Sequence, residues 1–112
     1  MTTDTTTARI AALNDAARRN STDGSMFLIT CGIKALPAAD QEAIVGRVFA
    51  FDDFTPENDP HGEHDFGAFD HNGQRIFWKV DCYDRDMRHG SEDPSDPAAT
   101  RRVLTVMLAE EY

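Results

Sequence analysis

The sequence has only two cysteines, Cys31 and Cys82, too far apart to form a metal knuckle or a CxxC redox pair. Free, largely buried thiols in a reducing cytoplasm are the expected state. No apolar run approaches the roughly 18 residues of a membrane span. The opening MTTDTTTAR lacks the basic and apolar regions of a secretory signal, so none is expected. No G-x-x-x-x-G-K-[ST] phosphate loop, G-x-G-x-x-G turn or G-x-S-x-G elbow occurs. Positive charge is also scarce, with eleven Lys and Arg against twenty Asp and Glu, a formal net charge of −9. Between Arg47 and Arg75 there is none, while Asp52, Asp53, Glu57, Asp59, Glu63, Asp65 and Asp70 all fall there. A surface of that sign does not neutralise phosphates, so direct nucleic-acid binding is not expected and a basic protein partner is.

A chain of 112 residues, 40% apolar and 28% charged, is a single globular domain, 1–112, with residues 1–6 frayed. The clearest structural signal is Asn72-Gly73, a dipeptide suited to a type I′ turn because both central residues need φ > 0. Counting outward sets His71 against Gln74, Asp70 against Arg75, Phe69 against Ile76, Gly67 against Trp78 and His64 against Asp81. Alternation then gives one core face of Phe69, Ile76, Trp78, Val80 and Cys82, with Gly67 leaving room for the indole. The other face is mixed, and its Phe66 and Phe77 call for cover by a loop, a helix or a partner.

Around this hairpin, Thr7–Asn20 reads as a surface helix with a thin stripe of Ile10, Leu13 and Ala17. Ser21–Ser25 reads as a turn. MFLITC, residues 26–31, reads as a strand buried on both faces. Pro37 opens a second helix that buries Ile44, Val45, Val48 and Phe49. Phe51–Pro60 is an acidic loop anchored by Phe51 and Phe54. Asp96-Pro97 has the form of an N-cap and first helical residue, which predicts a last helix to Glu110 burying Val103, Leu104, Met107 and Leu108. The expected fold is α+β in the order α-β-α-β-β-α. A small antiparallel sheet of at least three strands is covered mainly on one face by helices. So few strands also fit a homodimer formed through a sheet edge or face.

Four constellations bear on chemistry. His61, Glu63, His64 and Asp81, near Glu57, Asp59 and Asp65, have the donor types for a divalent transition metal and hence for a metal-dependent enzyme. The opposing reading is a hydrogen-bonded loop with a His64–Asp81 cross-strand pair and no cofactor. A cysteine nucleophile is not expected, because the register separates Cys82 from His64 and Cys31 ends a buried run. Asp81-x-x-Asp84-x-Asp86 lacks the glycine and terminal glutamate of a calcium loop. Finally, Asp52, Asp53, Phe54, Glu57, Asp59 and Phe66 combine aromatic anchors with a negative field, the chemistry of a face that binds a basic partner.

The segment FDDFTPENDPHGEHDFGAF, residues 51–69, with GQRIFWKVDCYD and the ending RRVLTVMLAEEY, resembles an uncharacterised bacterial family, domain of unknown function 3768. The resemblance runs from Arg9 to Tyr112. It carries no activity and no catalytic residues. Members are small proteins often borne on plasmids and other mobile elements. The resemblance therefore implies a cytoplasmic accessory protein of mobile DNA, and by association an inhibitor of a basic, nucleic-acid-associated enzyme of a defence system.

Overall fold

A computed structural model describes residues 5–20 and 25–112, with the side chain of residue 20 left aside. The elements are α1 (Thr5–Asn20), β1 (Met26–Ile29), α2 (Cys31–Lys34), α3 (Ala38–Ala50), β2 (Phe66–His71), β3 (Gln74–Tyr83) and β4 (Arg101–Leu108). A 3-10 turn, Ala109–Glu111, follows. The strands form one sheet in the order β1-β4-β3-β2. The fold is α+β, as the sequence predicts.

The hairpin stands where the turn dipeptide puts it. Asn72 and Gly73 have φ of 49° and 80°, and β2 pairs with β3 from His71↔Gln74 to Phe66↔Lys79. Trp78 and Ile76 are fully buried, with Phe69 and Val80 close behind. Gly67 is required here, because a Cβ would fall inside contact distance of the indole Nε1 and Cε2. The helices lie on this face, where Ile33, Ile44 and Val48 join Leu104, Val106 and Leu108 in one core.

Several expectations are corrected. The last helix is a strand, β4, which lies between β1 and β3. Its apolar run is buried on both faces, Val103 and Met107 on one and Leu104, Val106 and Leu108 on the other. Such a run imitates a buried helix in sequence; the β-branched Val103, Thr105 and Val106 suit the strand. Asp96 caps only a turn, accepting from the Ala98 N–H at 2.9 Å. Because β4 takes the covered central place, β1 is left at the edge. Met26, Phe27 and Leu28 are 38%, 40% and 46% exposed, against the expectation of a strand buried on both faces. β1 runs parallel to β4, so the sheet is mixed rather than wholly antiparallel. Cys31, expected to be buried, is exposed at the start of α2.

Helix α1 begins at Thr5, two residues earlier than expected, so Thr5 and Thr6 are helical. Residues 1–4 of the expected frayed end, and residues 21–24 of the expected turn, lie outside the described residues. The buried side of α1 is wider than the expected stripe of Ile10, Leu13 and Ala17, since Ala11, Asn14 and Arg18 are buried with Ile10 and Ala17. The open face of the sheet is covered only in part. Tyr112 sets its ring edge-on to Phe66 and Phe77, with centroids 6.0 and 5.7 Å away, and is itself 75% exposed.

Candidate functional site

The loop between α3 and β2 is held by its own short-range bonds. Thr55 N–H donates to Asn58 Oδ1 at 2.8 Å, and Asn58 N–H returns a bond to the Thr55 hydroxyl at 3.2 Å. Asn58 Nδ2 donates to the Asp53 carbonyl and the Asp59 N–H to the Thr55 carbonyl, both at 2.8 Å. Backbone pairing of this kind leaves the carboxylates of Asp52, Asp53 and Glu57 facing solvent.

Phe54 does not face solvent with them. Its ring stacks on His64, centroids 3.9 Å apart and 2° from parallel, and meets Phe51 and Trp78 edge-on. Asp59 is also turned inward, 9% exposed, and accepts the His64 N–H at 3.3 Å. Phe66 lies on the open face against Phe77. The six residues proposed from sequence thus divide. Asp52, Asp53 and Glu57 form an exposed edge, Phe54 and Asp59 fix the loop beneath it, and Phe66 stands apart.

The residues proposed as metal ligands are not brought together. Strand β2 begins at Phe66, and His64 adopts a left-handed φ of 55°, so the hairpin register ends before reaching it. His64 does not pair with Asp81. Its Nδ1 lies 3.0 Å from Asp15 of α1 and its Nε2 3.7 Å from Asp59. The two ring nitrogens point to different carboxylates, so no common point is offered to an ion. Asp81 is bound to Lys79 at 2.9 Å; that bond raises the Lys79 pKa. His61 is exposed, and Glu63 contributes its carbonyl to Asn14. Among the described residues no group of three or more His, Cys, Asp or Glu side chains is placed to hold a metal.

Sequence reasoning missed the partners on α1. Arg18 is fully buried, bonded to Asp15 at 2.8 Å and to the Val48 carbonyl at 2.9 Å. Its guanidinium lies 4.9 Å from the Trp78 ring centre. Burial lowers its pKa, and the bond to Asp15 works the other way. Asn14 donates to the Glu63 carbonyl at 2.9 Å and accepts from Arg102 Nε at 2.7 Å. The Cys82 thiol lies 3.7 Å from the same oxygen. Burial pushes that thiol up, away from the thiolate a nucleophile needs, and likewise raises the Asp65 carboxyl. The available signal for this network was an i,i+3 Asp15–Arg18 pair on a helix whose apolar stripe is thin.

Beside the exposed edge, a groove of about 280 Å³ runs between α3 and β2, lined by Arg47, Phe51, Asp52, Asp53 and Phe69 among others. The Arg47 guanidinium lies over the Phe69 ring, 4.2 Å from its centre, and donates to the Asp70 carbonyl. A cation already rests on one aromatic wall, and the exposed Asp52 and Asp53 line the same groove with Phe51. No described helix is long and apolar enough to cross a membrane.

Comparison with known proteins gives one family: the model of the family described as protein of unknown function (DUF3768) matches residues 29–111. No curated protein and no solved structure matches.

Proposed function

The chain belongs to the DUF3768 family, and from that premise we propose that it is an acidic binding protein that docks on a basic protein rather than turning over a substrate. The observation that carries this reading is the fixed presentation of Asp52, Asp53 and Glu57. Their loop is ordered by its own hydrogen bonds and by the Phe54–His64 stack, so little conformational freedom is lost when a partner binds. The edge itself has no lysine or arginine between Arg47 and Arg75, and the arginines folded beside it are engaged, Arg47 with Phe69 and the Asp70 carbonyl and Arg19 with the Phe51 carbonyl. A lysine or arginine side chain of the partner enters the groove against Phe51, between Asp52 and Asp53, and repeats the arrangement Arg47 makes on Phe69.

A basic target of this kind belongs to proteins that handle nucleic acid. In this reading the chain is a cytoplasmic accessory protein of mobile DNA that inhibits such an enzyme, and the free thiols of Cys31 and Cys82 accord with a reducing compartment. The test is capture from host lysate with the wild type and with an Asp52→Asn, Asp53→Asn, Glu57→Gln variant. The reading expects a basic protein retained by the wild type and lost by the variant. Equal retention by both, or no basic protein at all, would contradict it.

A further inference from the structure

The edge strand β1 carries information that the acidic loop does not use. Thr30 N–H donates to the Val106 carbonyl at 3.1 Å, and parallel pairing directs alternate residues to alternate sides. Met26 and Leu28 therefore turn their backbone groups toward β4, as does the Thr30 N–H, whose carbonyl instead accepts from Lys34 of α2, while the N–H and C=O of Phe27 and Ile29 face outward. Among the described residues this edge has no charge, no proline and no bulge in MFLI, and its four-residue length is the one usual protection it keeps. Its three exposed residues are Met26, Phe27 and Leu28.

We propose that β1 pairs antiparallel with β1 of a second copy of this chain, about a two-fold axis through Leu28, joining two sheets into one of eight strands. In that register Phe27 lies opposite Ile29 of the second copy and Ile29 opposite its Phe27, so all the outward backbone groups of both strands are satisfied by each other. Leu28 meets its own copy on the open face. No other partner sequence is needed to complete the bonding, which is the reason for choosing a second copy over a foreign strand.

Charge permits it. Near a two-fold axis each residue approaches its own kind, so an acidic patch would repel itself. Here the strip at the axis is Met26 and Leu28 beside Val103 and Thr105, all uncharged. The acidic groove lies against β2, at the far edge of the sheet. Joined at β1, the two β2 strands stand seven strand spacings apart, about 34 Å at ~4.8 Å each, several times the Debye length of about 8 Å. Repulsion between the loops is thus screened.

The experiment is sedimentation with light scattering, run across a concentration series. The wild type is expected at twice its 12.5 kDa mass, and Leu28→Lys at the single mass with its native circular dichroism retained. A Leu28→Cys variant in a Cys31→Ser background should form a disulfide-linked dimer on mild oxidation. The paired Cα atoms would lie about 4.5 Å apart, within disulfide reach. This second readout holds even if the lysine variant folds poorly. A wild type that stays monomeric at its highest soluble concentration would overturn the proposal. So would a Leu28→Lys protein that stays dimeric, or a cysteine variant that does not cross-link.

Discussion

His64 and Asp15 lie 3.0 Å apart, ring Nδ1 to carboxylate, across 49 residues of sequence. The contact ties α1 to the end of the acidic loop and turns His64 away from the hairpin. His64 stands there in a left-handed backbone conformation, at φ 55°, that a residue with a Cβ enters only at a cost.

This relationship predicts an ordering of variants. His64→Ala loses the Asp15 bond and the Phe54 stack and keeps the unfavourable φ. His64→Gly loses the same contacts and relieves the backbone, so it should be more stable than the alanine variant by about 1 kcal/mol. Urea denaturation measures the difference. An alanine variant as stable as the glycine one would mean that the loop does not hold this φ. Zinc or manganese should leave the melting temperature of the wild type unchanged, because the two ring nitrogens face separate carboxylates.

Gly67 and Trp78 make a second pair. Gly67→Ala should cost about 1–3 kcal/mol through overpacking against the indole. Trp78→Ala should cost about 3–5 kcal/mol through the cavity it leaves. In a Trp78→Ala background, with the whole indole removed, Gly67→Ala should cost much less. Equal costs in both backgrounds would show that the glycine serves some other purpose.

Glu111 closes the C-terminal turn onto β1 and α2. Its carboxylate accepts from the Thr30 hydroxyl at 2.5 Å and from the Leu108 and Gly32 N–H groups at 2.9 Å. The Thr30 bond first, and then those of Leu108 and Gly32, hold its pKa below the ordinary glutamate value. A carboxylate depressed in the folded state adds stability above its unfolded pKa of about 4.3, and that stability is lost as pH falls through the folded value. Tyr112 should therefore leave Phe66 and Phe77 in an acid step below about pH 4.3, visible in its NMR shifts. Glu111→Gln should remove the step. A step unchanged in the glutamine variant would assign it to another group.

How much of this was legible in the sequence depended on the range of each interaction. The hairpin could be read because a turn dipeptide and a period of two act over neighbouring residues, and every pair from His71↔Gln74 to Phe66↔Lys79 follows from them. The identity of β4 could not be read. Val103, Leu104, Met107 and Leu108 fit a helix as well as a strand buried on both faces, and only the neighbouring β1 and β3 decide between them. Around the loop, the acidic residues were visible but their division was not. Asp59 turns inward to accept the His64 N–H, and the His64 ring turns toward Asp15 of α1. In sequence, Asn14, Asp15 and Arg18 look like the solvated side of a surface helix. Tertiary contact makes them the base of the loop.

The central claim is that the exposed carboxylates beside the α3–β2 groove guide a basic partner onto the protein. The most direct measurement is the association rate constant with the captured partner at low and high salt, for the wild type and for the Asp52→Asn, Asp53→Asn, Glu57→Gln variant. The account predicts a wild-type rate that falls steeply with salt. For the variant it predicts a rate lower by about tenfold or more at low salt and nearly insensitive to ionic strength. Melting temperatures should agree, since exposed charges add little to stability. Identical salt dependence in the two proteins would contradict the claim.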